Sequence, residues 1–134
     1  MKEDIERPVV TDVAMAAVKE KNEFGEDQWM VYLVNMKDIA LGTVLVASKG
    51  YGEIEGENRE TSVLRHHLDT LPPKSFARIE PIMKEVFGMF NEYWLSFFAE
   101  GKMYDKKYIF VPEAISEDNY TRIPLMDVDG VMIG

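Results

Sequence analysis

Residues 91–111, NEYWLSFFAEGKMYDKKYIFV, constrain the fold more than any other window of the chain. In a strand, successive side chains point to opposite faces. Tyr93, Leu95, Phe97 and Ala99 therefore fall on one side of an extended segment, and Trp94, Ser96 and Phe98 on the other. Aromatic side chains also suit a pleated surface better than a helix. Glu100-Gly101 supplies a two-residue turn with a glycine free to take positive φ. Residues 107–111 form the return strand, and Pro112, which has no N–H to donate, ends the pairing. With this turn Phe97 lies opposite Tyr104, Tyr93 opposite Tyr108, Ser96 opposite Asp105 and Trp94 opposite Lys107. A longer loop through residues 104–106 would change the register, and a one-residue slip would exchange the faces. A helix competes, because Val86, Phe90, Tyr93 and Phe97 also recur at helical spacing. The aromatic density and the Glu-Gly punctuation favour the strand.

The rest of the chain reads as further sheet. Residues 1–8 form a charged leader expected to be frayed. Residues 9–21 carry alanines that favour a helix, but the polar turn at 22–27 leads into a clear strand at 28–36, and sequential strands usually pair. Residues 9–21 are therefore expected to be a strand. The 28–36 segment is apolar on both faces, as in a central strand covered from both sides. Residues 39–49 form another strand with a bulge at Gly42, so the first third is expected to be an antiparallel meander. Residues 50–59 read as an exposed acidic hairpin end. Residues 61–71 fit either a helix stopped by Pro72-Pro73 or a returning strand, with the strand favoured. A short strand follows at 75–79, a short helix at 81–87 opened by its proline, a loop at 116–120 and a last strand-like run at 122–133. The expected class is α+β, a predominantly antiparallel β-sheet of seven or eight strands with one or two short helices in a single domain over residues 1–134.

Composition narrows the function. A chain of 134 residues buries about two-thirds of its unfolded surface and needs no staple. It has no cysteine, which fits a reducing, cytoplasmic setting and excludes a thiol nucleophile or an iron–sulfur centre. No apolar run approaches the ~20 residues of a membrane span, and the N-terminus lacks the apolar core of a secretory signal. A formal charge of −9 argues against a broad grip on a phosphate backbone.

Chemistry-bearing patterns are sparse. His66 and His67 are adjacent, so on a strand they face opposite ways and do not share a metal. One of them could serve as an acid or base with Asp69 or Glu80, but no serine-centred motif marks a nucleophile. The glutamates at 53, 55, 57 and 60 lack the ligand spacing of a calcium loop and read as a solvated turn. No metal or cofactor is expected. Arg59, Arg65, His66, His67, Lys74, Arg78 and Lys84 make a locally basic segment inside an acidic protein. Set beside Trp94 and Lys107, it would offer cations for charge and rings for stacking. The alternative is an ordinary charged surface balanced by acids such as Asp69, Glu80 and Asp105.

Residues 125–131, LMDVDGV, resemble the first motif of haloacid-dehalogenase-type phosphatases, in which apolar residues precede D-x-D-G. That resemblance would make Asp127 the nucleophile and Asp129 a general acid, with Mg²⁺ nearby. The motif opens a long parallel α/β domain, whereas four residues follow Gly130 here. The segment is therefore expected to be an Asp-Gly turn. Over most of its length the chain is similar to a set of small bacterial proteins without an established function. The similarity rests on VKEKNEFGEDQWMVYLVN, VLVASKGYGEIEGE, TSVLRHHL, SFARIEPI and EYWLSFFAEGKMYDKKYIFVPEAI. Members sometimes carry a label related to the phenylalanyl-tRNA synthetase α subunit. The resemblance carries over no catalytic residue, and the glycine-rich, arginine-ended third motif of class II synthetases is missing.

The expectation is a non-enzymatic binding or interaction module. Its binding residues would be Arg65, His67, Arg78, Trp94, Asp105 and Lys107, and its partner a protein or a small anionic ligand. Two other readings stand beside it: a small enzyme on an anionic substrate with a histidine acid/base, and a homodimer formed through a strand edge.

Overall fold

A computed structural model describes residues 8–134. The expected leader at 1–8 falls, apart from Pro8, outside the described residues. The chain is predominantly antiparallel β-sheet, as the alternation and the aromatic content require. The described residues form ten strands: β1 (Val13–Lys21), β2 (Asp27–Asn35), β3 (Leu41–Ile54), β4 (Glu57–Glu60), β5 (Leu64–Leu71), β6 (Ser75–Ile82), β7 (Phe90–Ala99), β8 (Lys102–Phe110), β9 (Thr121–Ile123) and β10 (Val128–Ile133). Helical content among the described residues is two isolated 3₁₀ turns, Lys84–Val86 and Glu117–Asn119. Among the described residues no helix is long and apolar enough to cross a membrane.

The first sheet has the order β6-β2-β1-β10-β9. In the second, β3 pairs with β7, which pairs with β8, while β4 and β5 line the other side of β3. The β7–β8 hairpin has the register the aromatic alternation requires: Tyr93 opposite Tyr108, Trp94 opposite Lys107, Ser96 opposite Asp105 and Phe97 opposite Tyr104. Glu100 and Gly101 both take positive φ, 53° and 75°, the conformation whose twist matches a two-residue hairpin. Phe97 and Tyr104 stack with centroids 5.1 Å apart, and Tyr93 meets Phe110 edge-on at 6.0 Å.

Between the sheets, Tyr93, Leu95, Phe97, Tyr108 and Phe110 pack on Met15, Ala17, Val31 and Leu33 in one apolar cluster. The Tyr108 hydroxyl, taken out of water there, donates to the Val13 carbonyl at 2.7 Å. The first sheet is covered on its other face too. Ala16, Val18, Met30, Tyr32 and Val34 gather under Ile123, Met126 and Val128. Every residue of β2 from Trp29 to Asn35 is therefore buried, which explains why its sequence is apolar on both faces.

Four expectations are corrected. The meander does not form: β2 is flanked by β1 and β6, and the chain crosses to the second sheet before β3. Asn35 pins that corner. Its amide nitrogen donates to the carbonyls of Ile39 and Pro72 at 3.0 and 2.9 Å, and its oxygen accepts from the Lys37 N–H at 3.0 Å. The helix at 81–87 does not form either. Pro81 stays in β6, opposite Met30, where an edge strand tolerates a missing N–H. The run at 122–133 divides into β9 and β10 about a turn at residues 124–127. Gly130 lies inside β10 rather than in a turn. A Cβ there would stand 2.7 Å from the Ala17 carbonyl oxygen, so the glycine serves the close approach of β10 to β1.

Asn35 is fully buried, so Asn35→Ala strands two carbonyls and one N–H at the crossover. It is expected to lower unfolding free energy by about 2–4 kcal/mol, read from denaturant unfolding at unchanged m-value.

Candidate functional site

Strand pairing assembles the outer face of the second sheet. Arg65 lies across from Ala47, Ala47 from Trp94, and Trp94 from Lys107. In the next outward row His67 lies across from Leu45, Leu45 from Ser96, and Ser96 from Asp105. Five of the six residues singled out in the sequence thus share one face. The sixth does not. Arg78 is on β6, at the edge of the first sheet, where its guanidinium meets Glu20 and the Tyr32 hydroxyl.

This face is both apolar and charged. Trp94 and Phe98 are each 46% exposed and Leu45 45%, which is unusual for side chains of that size sharing a surface. The Lys107 ammonium sits 4.8 Å from the Trp94 ring centroid and 3.9 Å from a Glu92 carboxylate oxygen. Arg65 has no ion-pair partner among the described residues. A shallow depression of about 330 Å³ opens between Leu45, Arg65, His67, Trp94 and Asp105.

A second constellation lies between the sheets, and the sequence reading caught only one pair of it. β6 carries a bulge: Glu80 pairs with Val31 and Arg78 with Tyr32, leaving Ile79 without a cross-strand partner. Regular alternation would send Glu80 outward with Arg78. The extra residue turns it inward instead, a common use of bulges. Its carboxylate receives the Ser48 hydroxyl at 2.8 and 3.0 Å, His66 Nε2 at 2.6 Å and the Tyr93 hydroxyl at 3.1 Å. An ionised carboxylate only accepts, so with Glu80 ionised the hydrogen in this contact comes from His66 Nε2. Of the two partners considered for a histidine, Glu80 is the one in contact. Ser48 interrupts the otherwise apolar inward row of Val44 and Val46 on β3, and that interruption was the available signal; regular alternation in β6 hid Glu80.

Glu80, Ser48 and Tyr93 line a cleft of about 330 Å³ with Asn91, Leu64 and Met83. Burial first, and then the neighbouring carboxylate, hold the Tyr93 hydroxyl protonated well above the usual phenol range. Among the described residues no serine hydroxyl hydrogen-bonds a histidine; Ser48 gives its proton to the carboxylate instead. Nor do three carboxylate or imidazole side chains converge there on a point that could hold a metal ion.

No protein-family model, no curated protein and no solved structure matches the chain.

Tyr93 and Tyr108 are both buried, and burial raises both hydroxyls above the ordinary phenol value. Above about pH 10 the unfolded chain loses those protons while the folded chain keeps them. Stability is therefore complete below that pH and falls as pH rises, by about 1.4 kcal/mol per pH unit for each tyrosine. Tyr93→Phe should make this alkaline limb shallower in pH-dependent urea unfolding. A limb of unchanged slope would remove Tyr93 as its source.

Proposed function

We propose that the protein is a non-enzymatic binding module, and that it holds a small anionic ligand with a flat or apolar body on the outer face of the second sheet. One observation carries this reading: Arg65, with no ion-pair partner among the described residues, shares a depression with the half-exposed Trp94 and Leu45. Strands lie about 4.8 Å apart. Arg65 and Trp94 are therefore two strands, about 10 Å, from each other. A ligand could lay its body on the indole and Leu45 and its anion against the guanidinium. Arg gives paired, directional donors to such a group. His67 adds a third donor from the neighbouring row, and Lys107, held between the ring and Glu92, keeps the indole in place. A cytoplasmic setting is part of this proposal, and the absence of cysteine fits such a reducing compartment.

Trp94 is one of two tryptophans, and Trp29 is buried. Naphthalenesulfonate should shift the Trp94 indole N–H resonance saturably and leave that of Trp29 in place. Arg65→Ala should weaken binding about tenfold, the loss of one charge-assisted contact. Replacing Trp94 and Lys107 together should abolish binding while moving the thermal midpoint by only a few degrees. A collapsed fold would mean the ring is structural. Concentration-dependent sedimentation would favour the strand-edge homodimer instead, and a monomer at high concentration would reject it.

A further inference from the structure

We propose that the cleft beside Glu80 is a second binding site, one for a small primary amine carrying an apolar body. It lies on the inward side of β3 and β7 and does not rest on the outer-face reading.

The first argument is a surplus of acceptors. An ionised carboxylate offers about four acceptor directions. Glu80 receives three hydrogens from the described residues. Ser48 reaches both of its oxygens but has one proton to give, and His66 and Tyr93 supply the others. One direction on a charged, mostly buried group is left unused. Asn91 adds a second acceptor to the same cleft. Its Nδ2 donates to the carbonyls of Val86 and Met89 at 2.8 and 3.2 Å, which sets the orientation of the amide. Its Oδ1 accepts nothing from the described residues. Gly50, also on the cleft wall, leaves that oxygen uncovered, since an added Cβ would stand 3.0 Å from it.

The second argument is what the cleft lacks. Lys49 borders it, but its ammonium lies 5.6 Å from the Tyr51 ring centroid, on the outward side of β3. Leu64, Pro81, Ile82, Met83 and Val86 give the rest of the wall an apolar stretch, with Thr61 and Ser62 beside it. An ammonium group donates three hydrogens and accepts none, so it suits a cleft whose lining offers a carboxylate and an amide oxygen. Hydrogen bonds with a charge on one side are roughly twice as strong as neutral ones. The apolar body would cover the wall, and a net charge of −9 favours the approach of cations.

The full chain is titrated with phenethylammonium, phenethyl alcohol and hydrocinnamate while backbone amides are followed by NMR. Phenethylammonium is expected to give saturable shifts at Ser48, Gly50, Glu80, Met83 and Asn91. The alcohol should bind at least about tenfold more weakly, and the carboxylate not at all. Leu64→Trp fills the mouth from a position 51% exposed without touching the Glu80 contacts. It should weaken binding by at least about tenfold at an unchanged unfolding midpoint. Glu80→Gln should weaken binding as much, at a lowered midpoint because Glu80 also ties Ser48, His66 and Tyr93 together; if that variant no longer unfolds cooperatively, Leu64→Trp decides alone. The proposal is overturned by the absence of saturable shifts, by equal affinity for amine and alcohol, or by parental binding in Leu64→Trp.

Discussion

The contact on which the rest of this structure depends is the packing of the inward row of β7 against β1 and β2. Tyr93, Leu95 and Phe97 are each nearly or fully inaccessible and bear on Met15, Val31 and Leu33. Aromatic side chains remove more apolar area from water than any others, and area removed from water is the main favourable term in folding. Once that row is inward, pleating leaves no choice for its neighbours. Trp94, Ser96 and Phe98 must face out, and the rows they join on β3, β5 and β8 follow from cross-strand register.

The two candidate sites are consequences of this packing at different places. The outer face collects what the core did not need: an indole, a leucine, a guanidinium and an ammonium on a rigid surface. The cleft forms at the side of the sandwich where the edge strands β5 and β6 face each other. Apolar packing there gives way to a single carboxylate of the first sheet that takes hydrogen bonds from three residues of the second. A carboxylate so placed must be satisfied, because an unpaired buried charge costs several kcal/mol. Ser48, His66 and Tyr93 are the residues that satisfy it, and they hold β5, β3 and β7 to β6.

The β7–β8 hairpin was legible down to its register, because aromatic alternation, a turn pair with glycine second and a terminating proline all agree. The acidic hairpin end at residues 50–59 was legible for similar reasons and closes through Glu55-Gly56, both at positive φ. The placement of β3 was not. A strand that follows closely on another usually pairs with it, and only the buried Asn35 corner, which joins segments 36 residues apart in sequence, sends the chain to the other sheet. Pro81 misled for a related reason: a proline suits both a helix start and an edge strand, and edges are defined by neighbours.

Read alone, the sequence determined which side chains share a face. Side-chain direction in a strand follows from local geometry, so Arg65 with His67, Trp94 with Ser96, and Asp105 with Lys107 could be grouped strand by strand. Tertiary structure decided which faces meet. It joined those pairs into one surface and removed Arg78 to the other sheet. It also used a bulge at Ile79 to turn Glu80 inward to three donors distant in the chain. Strand order and bulges depend on what lies alongside, and no local pattern in a single strand carries that information.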